Sequence, residues 1–279
     1  MIINLATLTL KQLQQTALLR FSHDDARLEI DILLARAIGK TPLYLRTWPD
    51  YQPNAEQLVQ FQAELAQLQQ GVPLAYIVGE RAFWRLSLSV NSSVLIPRPD
   101  TECVVEKVLA LGTGKQWRVA DLGTGSGAIA LSLAMEHPDW QVTATDISAD
   151  SLAVAQSNAL RNKIDNVTFV HGSWLQPLTP YFDCIVSNPP YIANDDPHLT
   201  ALQYEPITAL VAEDQGLADL ALIVRLSGDY LYENGWLVLE HGFQQGDAVQ
   251  ELLRQAGFIN VESGRDYGGN IRYSVGQKC

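Results

Sequence analysis

The stretch Val119-Ala120-Asp121-Leu122-Gly123-Thr124-Gly125-Ser126-Gly127 joins a short apolar run to a glycine-rich turn. An apolar run of this length is typical of a strand that is buried on both faces of a parallel sheet. Residues 128–135 are apolar except for Ser132 and favour a helix directly after the turn, and strands and helices alternate from residue 118 onward. This order predicts an α/β fold with a doubly wound, Rossmann-like sheet.

The turn and the strand that follows it predict a site for an adenosine-containing cofactor. Gly123, Gly125 and Ala128 satisfy the G-x-G-x-x-G/A pattern, in which glycines let the backbone approach a ligand closely. The strand-like run 140–145 ends at Asp146, whose carboxylate can accept hydrogen bonds from both ribose hydroxyls. Dinucleotides and S-adenosylmethionine both use these features, so the turn alone leaves an NAD-dependent enzyme as an alternative.

Trp174 follows a third strand-like run, Val167–His171. An indole at this edge of a doubly wound sheet can cover the adenine ring of a bound nucleoside. A tryptophan of the hydrophobic core would give the same pattern, so both interpretations stay open.

Asn188-Pro189-Pro190-Tyr191 comes directly after the strand-like run 182–187 and favours methyl transfer to a planar nitrogen. An amide nitrogen is a poor nucleophile, so an enzyme must hold it about 3 Å from the methyl group and in line with the leaving sulfur. The Asn188 side-chain oxygen and the Pro189 carbonyl can accept its two N–H groups. The prolines stiffen the turn, and Tyr191 offers a flat face to the substrate. The motif therefore favours S-adenosylmethionine over a dinucleotide.

The composition suits a globular protein with one large and one small domain, since 47% of its 279 residues are hydrophobic. No apolar run approaches 18 residues, which predicts no membrane span. Residues 1–10 lack a basic n-region and a small-residue cleavage site, so no signal peptide is expected. Cys103, Cys184 and Cys279 are widely spaced and form no C-x-x-C motif. They predict a cytoplasmic location, and neither a disulfide framework nor a metal site.

The charge is unevenly distributed along the chain. The formal net charge is −12, of which residues 1–75 contribute −1 and residues 76–279 contribute −11. The predicted catalytic part is therefore acidic, whereas a protein that grips duplex DNA usually carries a basic footprint. No stable binding of nucleic acid is expected.

The chain is expected to contain three segments with different patterns. Residues 1–75 are predicted to form a small helical bundle, in which Ser22 and Asn54 each cap a helix with an apolar stripe. Residues 76–96 are predicted to form a β-hairpin linker, in which Val94-Leu95-Ile96 pairs with the alternating run before it. Residues 97–279 remain for the methyltransferase domain.

Two polar segments could border the active site. Pro97-Arg98-Pro99-Asp100-Thr101-Glu102 is either a proline-capped helix start or a wall of the site, with Arg98 or Glu102 near the substrate. The loop after Tyr191 is long and polar, which suits a substrate-contacting loop as well as an ordinary surface excursion.

Several segments match one known family, and the two most specific are Ile96–Glu102 and Tyr204-Glu205-Pro206. The other matching segments are residues 121–127, Asn188-Pro189-Pro190-Tyr191-Ile192, Ala209-Leu210, Glu240-His241-Gly242 and Arg265-Asp266-Tyr267-Gly268. With these segments and its N-terminal helices, the chain resembles the bacterial peptide-chain release factor glutamine methyltransferases, the HemK family, over essentially its whole length. The N-P-P-Y motif alone is less specific, because adenine and other amino methyltransferases share it.

The resemblance implies methyl transfer from S-adenosylmethionine, which leaves S-adenosylhomocysteine, to the glutamine amide in the Gly-Gly-Gln motif of class-1 release factors. It also implies that the helical domain helps to dock the release factor, and that Asn188, Pro189 and Tyr191 are catalytic. The residues implied to bind the cofactor are Gly123, Thr124, Gly125, Ser126, Gly127, Asp146, Trp174 and Asn188. The residues expected to bind the substrate are Asn188, Pro189, Pro190, Tyr191 and Arg98.

Four other functions are alternatives to the one that the resemblance implies. A glutamine of a ribosomal protein would suit the same chemistry, and the helical domain separates the two substrates only weakly. An adenine-N6 methyltransferase would have to flip a base out of a nucleic acid, and the acidic balance and the lack of an evident target-recognition domain count against it. An NAD-dependent oxidoreductase and a noncatalytic cofactor-binding module both leave Asn188-Pro189-Pro190-Tyr191 unexplained.

Overall fold

The computed structural model describes residues 8–279, so most of the segment examined for a signal peptide lies outside it. The chain divides into two compact units, with the division between Gly79 and Glu80. Each unit has its own hydrophobic core. No helix from residue 8 onward has both the length and the hydropathy needed to cross a bilayer.

The first unit is a helical bundle. Its helices are α1 (Leu10–Leu18), α2 (Ala26–Ala37), α3 (Pro42–Thr47), α4 (Ala55–Gln69) and α5 (Leu74–Val78). Leu33 and Leu34 of α2 are fully buried in a core that also contains Phe61 and Leu65 of α4. These residues recur at helical spacing, so their burial against a neighbouring helix is the main source of helix stability.

The two predicted helix caps have different outcomes. Asn54 caps α4, as predicted, and the structure shows that the cap is a capping box with Gln57. The prediction for Ser22 is wrong, because α2 begins at Ala26 after Asp25 and has no side-chain cap bond. A turn, closed by the Ala26 N–H donating to the His23 carbonyl, occupies the position where the helix was expected to start.

The second unit contains a two-stranded hairpin and a seven-stranded sheet. The hairpin consists of β1 (Glu80–Phe83) and β2 (Leu86–Ser89). The sheet strands are β3 (Arg118–Leu122), β4 (Gln141–Asp146), β5 (Val167–His171), β6 (Phe182–Ser187), β7 (Leu231–Glu240), β8 (Ile259–Arg265) and β9 (Ile271–Gln277). The longer helices are α6 (Glu102–Leu111), α7 (Ala128–Glu136), α8 (Ala149–Asn162), α10 (Ala218–Ser227) and α11 (Gly246–Gln255), and a single turn, α9 (Glu213–Gly216), precedes α10.

The sheet is doubly wound, which confirms the predicted α/β fold. Its strand order is β5-β4-β3-β6-β7-β9-β8, with parallel pairing from β5 to β7 and antiparallel pairing of β9 and β8 at the edge. Neighbouring residues of β3 enter different cores, since Val119 packs in the layer of α6 and α7 and Ala120 packs in the layer of α10 and α11. This alternation explains why neighbouring positions of the strand, such as Val119 and Ala120, are both apolar.

The predicted hairpin exists, but its strands are not the expected ones. Val94–Ile96 does not pair with the alternating run, and β1 pairs with β2 instead. A two-residue turn at Trp84 makes this local pairing possible, because Trp84 adopts a left-handed conformation with φ 54°. The Trp84 N–H donates to Glu102 and its indole N–H donates to Glu136. The hairpin thereby belongs to the compact unit Glu80–Cys279 rather than to a free linker.

The chain reverses its direction of winding between β3 and β6. Both strands run parallel and their last paired residues are Leu122 and Ser187. The glycine-rich turn and Asn188-Pro189-Pro190-Tyr191 therefore begin side by side, at the carboxyl edge where doubly wound sheets bind ligands.

The backbone of Tyr191 is fixed from the side of α9. Gln245 donates from its side-chain amide to the carbonyls of Tyr191 and Gln215. Gly216 has φ +82°, and a Cβ atom at this position would lie 2.1 Å from the Tyr191 carbonyl oxygen. The turn after β6 is thus in close backbone contact with α9.

Gly216→Ala should destabilise the protein more than Gly114→Ala. Both glycines have positive φ, so each alanine carries a backbone cost of about 1–2 kcal/mol, but Gly114 has open space around it. Steric overlap at Gly216 should add about 1–3 kcal/mol. Urea unfolding of the two variants measures the difference in the free energy of unfolding. Equal losses would contradict the contact with Tyr191.

Candidate active site

A cavity of about 660 Å³ opens at the carboxyl ends of β3 and β6. Gly123–Ser126 line one side of it, and Asn188 and Pro190 line another. Its volume is within the range of sites for small molecules and cofactors. The two turns that sequence analysis connected through chemistry therefore share one cavity.

The glycine turn is held in place by the end of β4. The Thr124 N–H donates to the Thr145 carbonyl at 2.9 Å, and the Gly125 N–H donates to Asp146 Oδ2 at 2.9 Å. The other Asp146 oxygen accepts from the Ser148 N–H at 2.9 Å. Asp146 lines the cavity and retains lone pairs for a ligand, because a carboxylate can accept about four hydrogen bonds.

Gly127 differs from the rest of the turn because it does not line the cavity. It has φ +85° and precedes the first residue of α7. A Cβ atom there would lie 2.9 Å from Leu131 and 3.3 Å from Ala155. Close packing against Leu131 and Ala155 therefore explains why position 127 is a glycine. Its predicted role in cofactor binding stays a prediction.

Asp121 is a residue of the cavity that sequence analysis did not single out. It is 1% exposed, and its Oδ2 accepts hydrogen bonds from the Thr124 hydroxyl at 2.6 Å and the Ala130 N–H at 3.2 Å. Its Oδ1 is buried without a hydrogen-bond partner. Burial raises the pKa of Asp121 to about 7. An acidic residue at the end of a buried strand was the signal that could have revealed it.

Trp174 is half-buried and lines the cavity beside Gly123. A Cβ atom on Gly123 would lie 3.0 Å from the Trp174 ring, so glycine is needed for the close approach. Asp219 of α10 lines the same region. Burial raises the pKa of Asp219, and a hydrogen bond from the Trp174 side chain opposes this rise. Trp174 also packs against the core of α10 and α11, and its contact with an adenine ring stays a prediction.

Asn188 is half-buried at the start of its turn. Its side-chain NH₂ group donates to the Thr101 hydroxyl at 3.4 Å. This contact engages the nitrogen of the amide with the protein and leaves the side-chain oxygen as the acceptor. Thr101 is buried and also lines the cavity.

The remaining residues of the turn have different environments. Pro190 is buried and lines the cavity, whereas Pro189 is buried and does not line it. Tyr191 does not line the cavity either, and its hydroxyl donates to Glu240 Oε1 at 3.3 Å. Burial raises the pKa of the Tyr191 hydroxyl well above its usual value, so the residue is neutral. The predicted substrate contact by the Tyr191 ring is not seen in the lining of the cavity.

Arg98 lines the cavity, and its guanidinium forms an ion pair with Glu205. Glu205 is buried, and its second oxygen accepts from the Ile96 N–H at 3.0 Å. The two segments that sequence analysis found most specific are thus joined to each other. Pro206, Thr208 and Ala209 continue the wall beyond this ion pair.

Glu102, the other residue considered at this wall, does not line the cavity. Its carboxylate accepts from the Trp84 N–H at 2.9 Å and so holds the hairpin. From residue 8 to the C-terminus, no group of three or more His, Cys, Asp or Glu residues could hold a metal ion.

Two family models match the chain. The PrmC N-terminal domain matches residues 12–79, and the Methyltransferase small domain matches residues 100–208. These ranges correspond to the helical unit and to the part of the second unit that contains β3 to β6.

The second unit also has the fold of solved methyltransferases. A methyltransferase from Pyrococcus furiosus is 19% identical with a TM-score of 0.56, covering 76% of this chain and 98% of its own. The catalytic domain of hMettl16, bound to a MAT2A hairpin, is 20% identical with a TM-score of 0.58, covering 69% of this chain and 74% of its own. At these identities the likeness concerns the fold alone.

Curated relatives are similar over nearly the full length. The release factor glutamine methyltransferase of Yersinia pestis is 50% identical over 92% of this chain and 95% of its own. The enzyme of the same name from Aliivibrio fischeri is 45% identical over 91% of this chain and 91% of its own. The one from Escherichia coli K12 is 43% identical over 92% of this chain and 94% of its own. With such identity across both units, the chain belongs to the release factor glutamine methyltransferase family.

Proposed function

We propose that this chain transfers a methyl group from S-adenosylmethionine to the side-chain amide nitrogen of the glutamine in the Gly-Gly-Gln motif of class-1 release factors. The observation that carries the proposal is the shared cavity of the glycine turn and Asn188. The names of the relatives support the substrate, since family members at 40–50% identity are called release factor glutamine methyltransferases.

The cofactor half of the site is proposed to consist of the glycine turn, Asp146 and Trp174. Asp146 accepts hydrogen bonds from the ribose hydroxyls, and the Trp174 ring covers the adenine. Asp121 supports a cationic ligand, because its Oδ1 is buried in the cavity wall without a partner. A positive group nearby would favour the ionised carboxylate and lower its pKa from about 7. The donor set therefore fits S-adenosylmethionine, which carries a sulfonium and an ammonium group.

The substrate half is proposed to hold the glutamine amide by its two N–H groups. The Asn188 side-chain oxygen accepts one and the Pro189 carbonyl accepts the other. When bound, the cofactor supplies an electrophilic methyl group that needs no metal activation. Asn188 and Pro189 orient the nitrogen so that its lone pair faces that methyl group. Their hydrogen bonds strengthen as positive charge develops on the nitrogen, so they stabilise the transition state more than the ground state.

The walls of the cavity are proposed to select an extended peptide. Pro190 and Arg98 shape the slot that the glutamine side chain enters, and Tyr191 supports the turn from behind. The helical unit is proposed to dock the release factor, and the acidic charge of residues 76–279 argues against stable binding of nucleic acid. The three free cysteines support a cytoplasmic location.

Labelled S-adenosylmethionine and purified release factor should yield one added methyl on the Gly-Gly-Gln glutamine, located by mass spectrometry. Asn188→Ala should lower turnover about 10²–10³-fold, because it removes an acceptor for the developing charge. Cofactor affinity should change little in comparison. Gln255→Ala, which removes an exposed amide of α11, is the matched control and should keep full activity.

Three outcomes of this assay would contradict parts of the proposal. Label on a ribosomal protein or on adenine, with none on release factor, would keep the chemistry and change the substrate. Full turnover by Asn188→Ala would remove Asn188 from catalysis. Loss of the fold in that variant, seen as a lost thermal transition, would assign it a structural role.

Asp146→Asn should weaken cofactor binding about tenfold or more while the protein remains folded, because a neutral amide is a poorer acceptor for ribose hydroxyls and cannot accept with both of its ends. The measurement is a titration with S-adenosylhomocysteine, followed by tryptophan fluorescence or calorimetry. Asp165→Asn changes an exposed aspartate in the same way and is the control. An equal dissociation constant for all three proteins would exclude Asp146 from the cofactor site.

A further inference from the structure

The turn 188–191 depends on the contacts at its two ends. Its two central residues are prolines, so the middle of the turn has no backbone N–H groups with which to fix itself. At the entrance to the turn, the Ser187 hydroxyl donates to the Leu122 carbonyl at 2.7 Å. The positions of the two acceptors proposed for the glutamine amide, on Asn188 and Pro189, therefore also depend on what holds the exit.

Gln245 holds the exit of the turn with its side-chain amide. The NH₂ group donates to the Tyr191 carbonyl at 3.1 Å and to the Gln215 carbonyl at 3.2 Å. The side-chain oxygen accepts from the Gly242 N–H at 2.8 Å. Two acceptors on one side and a donor on the other fix which way the amide points. One side chain thus joins three loops: the turn after β6, the turn α9 and the loop after β7.

The segment of α9 that meets Gln245 has a strained backbone. Asp214 and Gln215 both have φ 53°, in the left-handed region that residues other than glycine rarely occupy. At Gly216, a Cβ atom would lie 2.1 Å from the Tyr191 carbonyl oxygen and 2.9 Å from the Gln245 amide nitrogen. Strained backbone is retained where its surroundings hold it, and it clusters at functional sites. Here it lies directly against the exit of the turn.

The residue after the turn is bound to the wall of the cavity. The Ile192 N–H donates to the Leu210 carbonyl at 2.9 Å, and the Ala212 N–H donates to the Ile192 carbonyl at 3.0 Å. Ala209 and Val211 of the same wall segment line the cavity. The exit of the turn is thus joined to the wall by backbone pairing and to α9 by a side chain, and the side chain is the part that a substitution can remove.

We propose that Gln245 is a positioning residue that places the Asn188 oxygen and the Pro189 carbonyl for the glutamine amide. Gln245 does not line the cavity, so it acts through the turn and not on the reacting atoms. Its donation to the Tyr191 carbonyl fixes the exit of the turn, and the two prolines transmit this position because their φ angles are locked. The inference rests on the proposed function and on the roles given there to the two acceptors.

A merely structural role for Gln245 would use the other half of its amide. The side-chain oxygen closes the loop after β7 by accepting from Gly242, whereas the NH₂ group makes the bonds to the other two loops. Gln245 is also the N-cap residue of α11, a position that favours a negative charge over a positive one. A carboxylate here would keep the loop and suit the helix, and an ammonium group would keep only the donation to the turn.

The test compares Gln245→Glu, which keeps the acceptor, with Gln245→Lys, which keeps the donors. Labelled S-adenosylmethionine and purified release factor give kcat and KM, and calorimetry gives the affinity for S-adenosylhomocysteine. Gln245→Glu should lower kcat about 10–100-fold, with KM and cofactor affinity within about threefold, because a carboxylate repels the Tyr191 carbonyl and a displacement of about 1 Å costs this much. Gln245→Lys should keep kcat within about fivefold of the wild type, because it still donates.

Gln244→Glu and Gln244→Lys are the matched controls, because Gln244 is the exposed neighbour of Gln245 and takes the same changes of charge. Both should keep the wild-type kcat. Wild-type kcat in Gln245→Glu, or a lower kcat in Gln245→Lys than in Gln245→Glu, would overturn the proposal. A loss in Gln245→Glu that takes the form of a raised KM and weaker cofactor binding, with kcat unchanged, would overturn it too.

Gln245→Met replaces either variant if that variant does not fold, since it removes the donors without adding a charge. A lowered kcat with unchanged cofactor affinity in Gln245→Met supports the proposal, and a wild-type kcat overturns it.

The failure of this inference can be distinguished from a failure of the proposed function. If the wild type does not methylate release factor, or if Asn188→Ala keeps full turnover, the proposed function or the role of Asn188 is wrong and Gln245 has no acceptor to place. If Asn188→Ala loses turnover while Gln245→Glu keeps it, the proposed function stands and only the role of Gln245 is refuted.

Discussion

The parallel pairing of β3 with β6 is the constraint on which the site depends. The register places Leu122 opposite Ser187, and the buried Ser187 hydroxyl donates to the Leu122 carbonyl at 2.7 Å. This bond joins the two strands one residue before their turns diverge. A shift of the register would separate the glycine turn from Asn188, and neither turn could then share a cavity with the other. The pairing of β3 with β6 therefore sets the position of Asn188 relative to the glycine turn.

The sheet also determines where the buried charges lie. Asp121 is the penultimate residue of β3, on one side of Asn188, and Glu240 is the last residue of β7, on the other side. Both carboxylates are 1% exposed, both have one oxygen without a hydrogen-bond partner, and burial raises both pKa values to about 7. Such groups are costly in a core that serves stability alone. Strand ends at the switch point are the positions where this cost is offset by a ligand or by a reactive turn.

The sequence predicted the features that depend on local pattern. The strand at Val119–Leu122, the glycine turn and the helix cap at Asn54 each result from neighbouring residues. The predicted hairpin paired the alternating run with Val94–Ile96, because alternation identifies a strand but not its neighbour. In the structure, the left-handed conformation of Trp84 lets β2 pair with β1 instead. Ser22 does not cap α2, because a turn at His23 precedes the helix and α2 begins only at Ala26.

Contacts between distant parts of the chain could not be predicted in the same way. Glu205 joins Arg98 across 107 residues, and the Tyr191 hydroxyl joins Glu240 across 49 residues. A tyrosine in an Asn-Pro-Pro-Tyr turn gives no sign of which way its ring points. The specific segments could be recognised, but their mutual contact required the fold.

Two kinds of element line the cavity. The glycine turn and Asn188 continue directly from the buried strands β3 and β6. The opposite wall consists of segments without strands, Leu95–Arg98 and Pro206–Ala209, which the ion pair of Arg98 and Glu205 joins. Glu205 is buried while Arg98 remains 38% exposed, so water and an incoming peptide compete for the guanidinium but not for the carboxylate. Under the proposed function, the side that continues from the strands would hold the cofactor, and the side joined by the Arg98–Glu205 ion pair would meet the peptide.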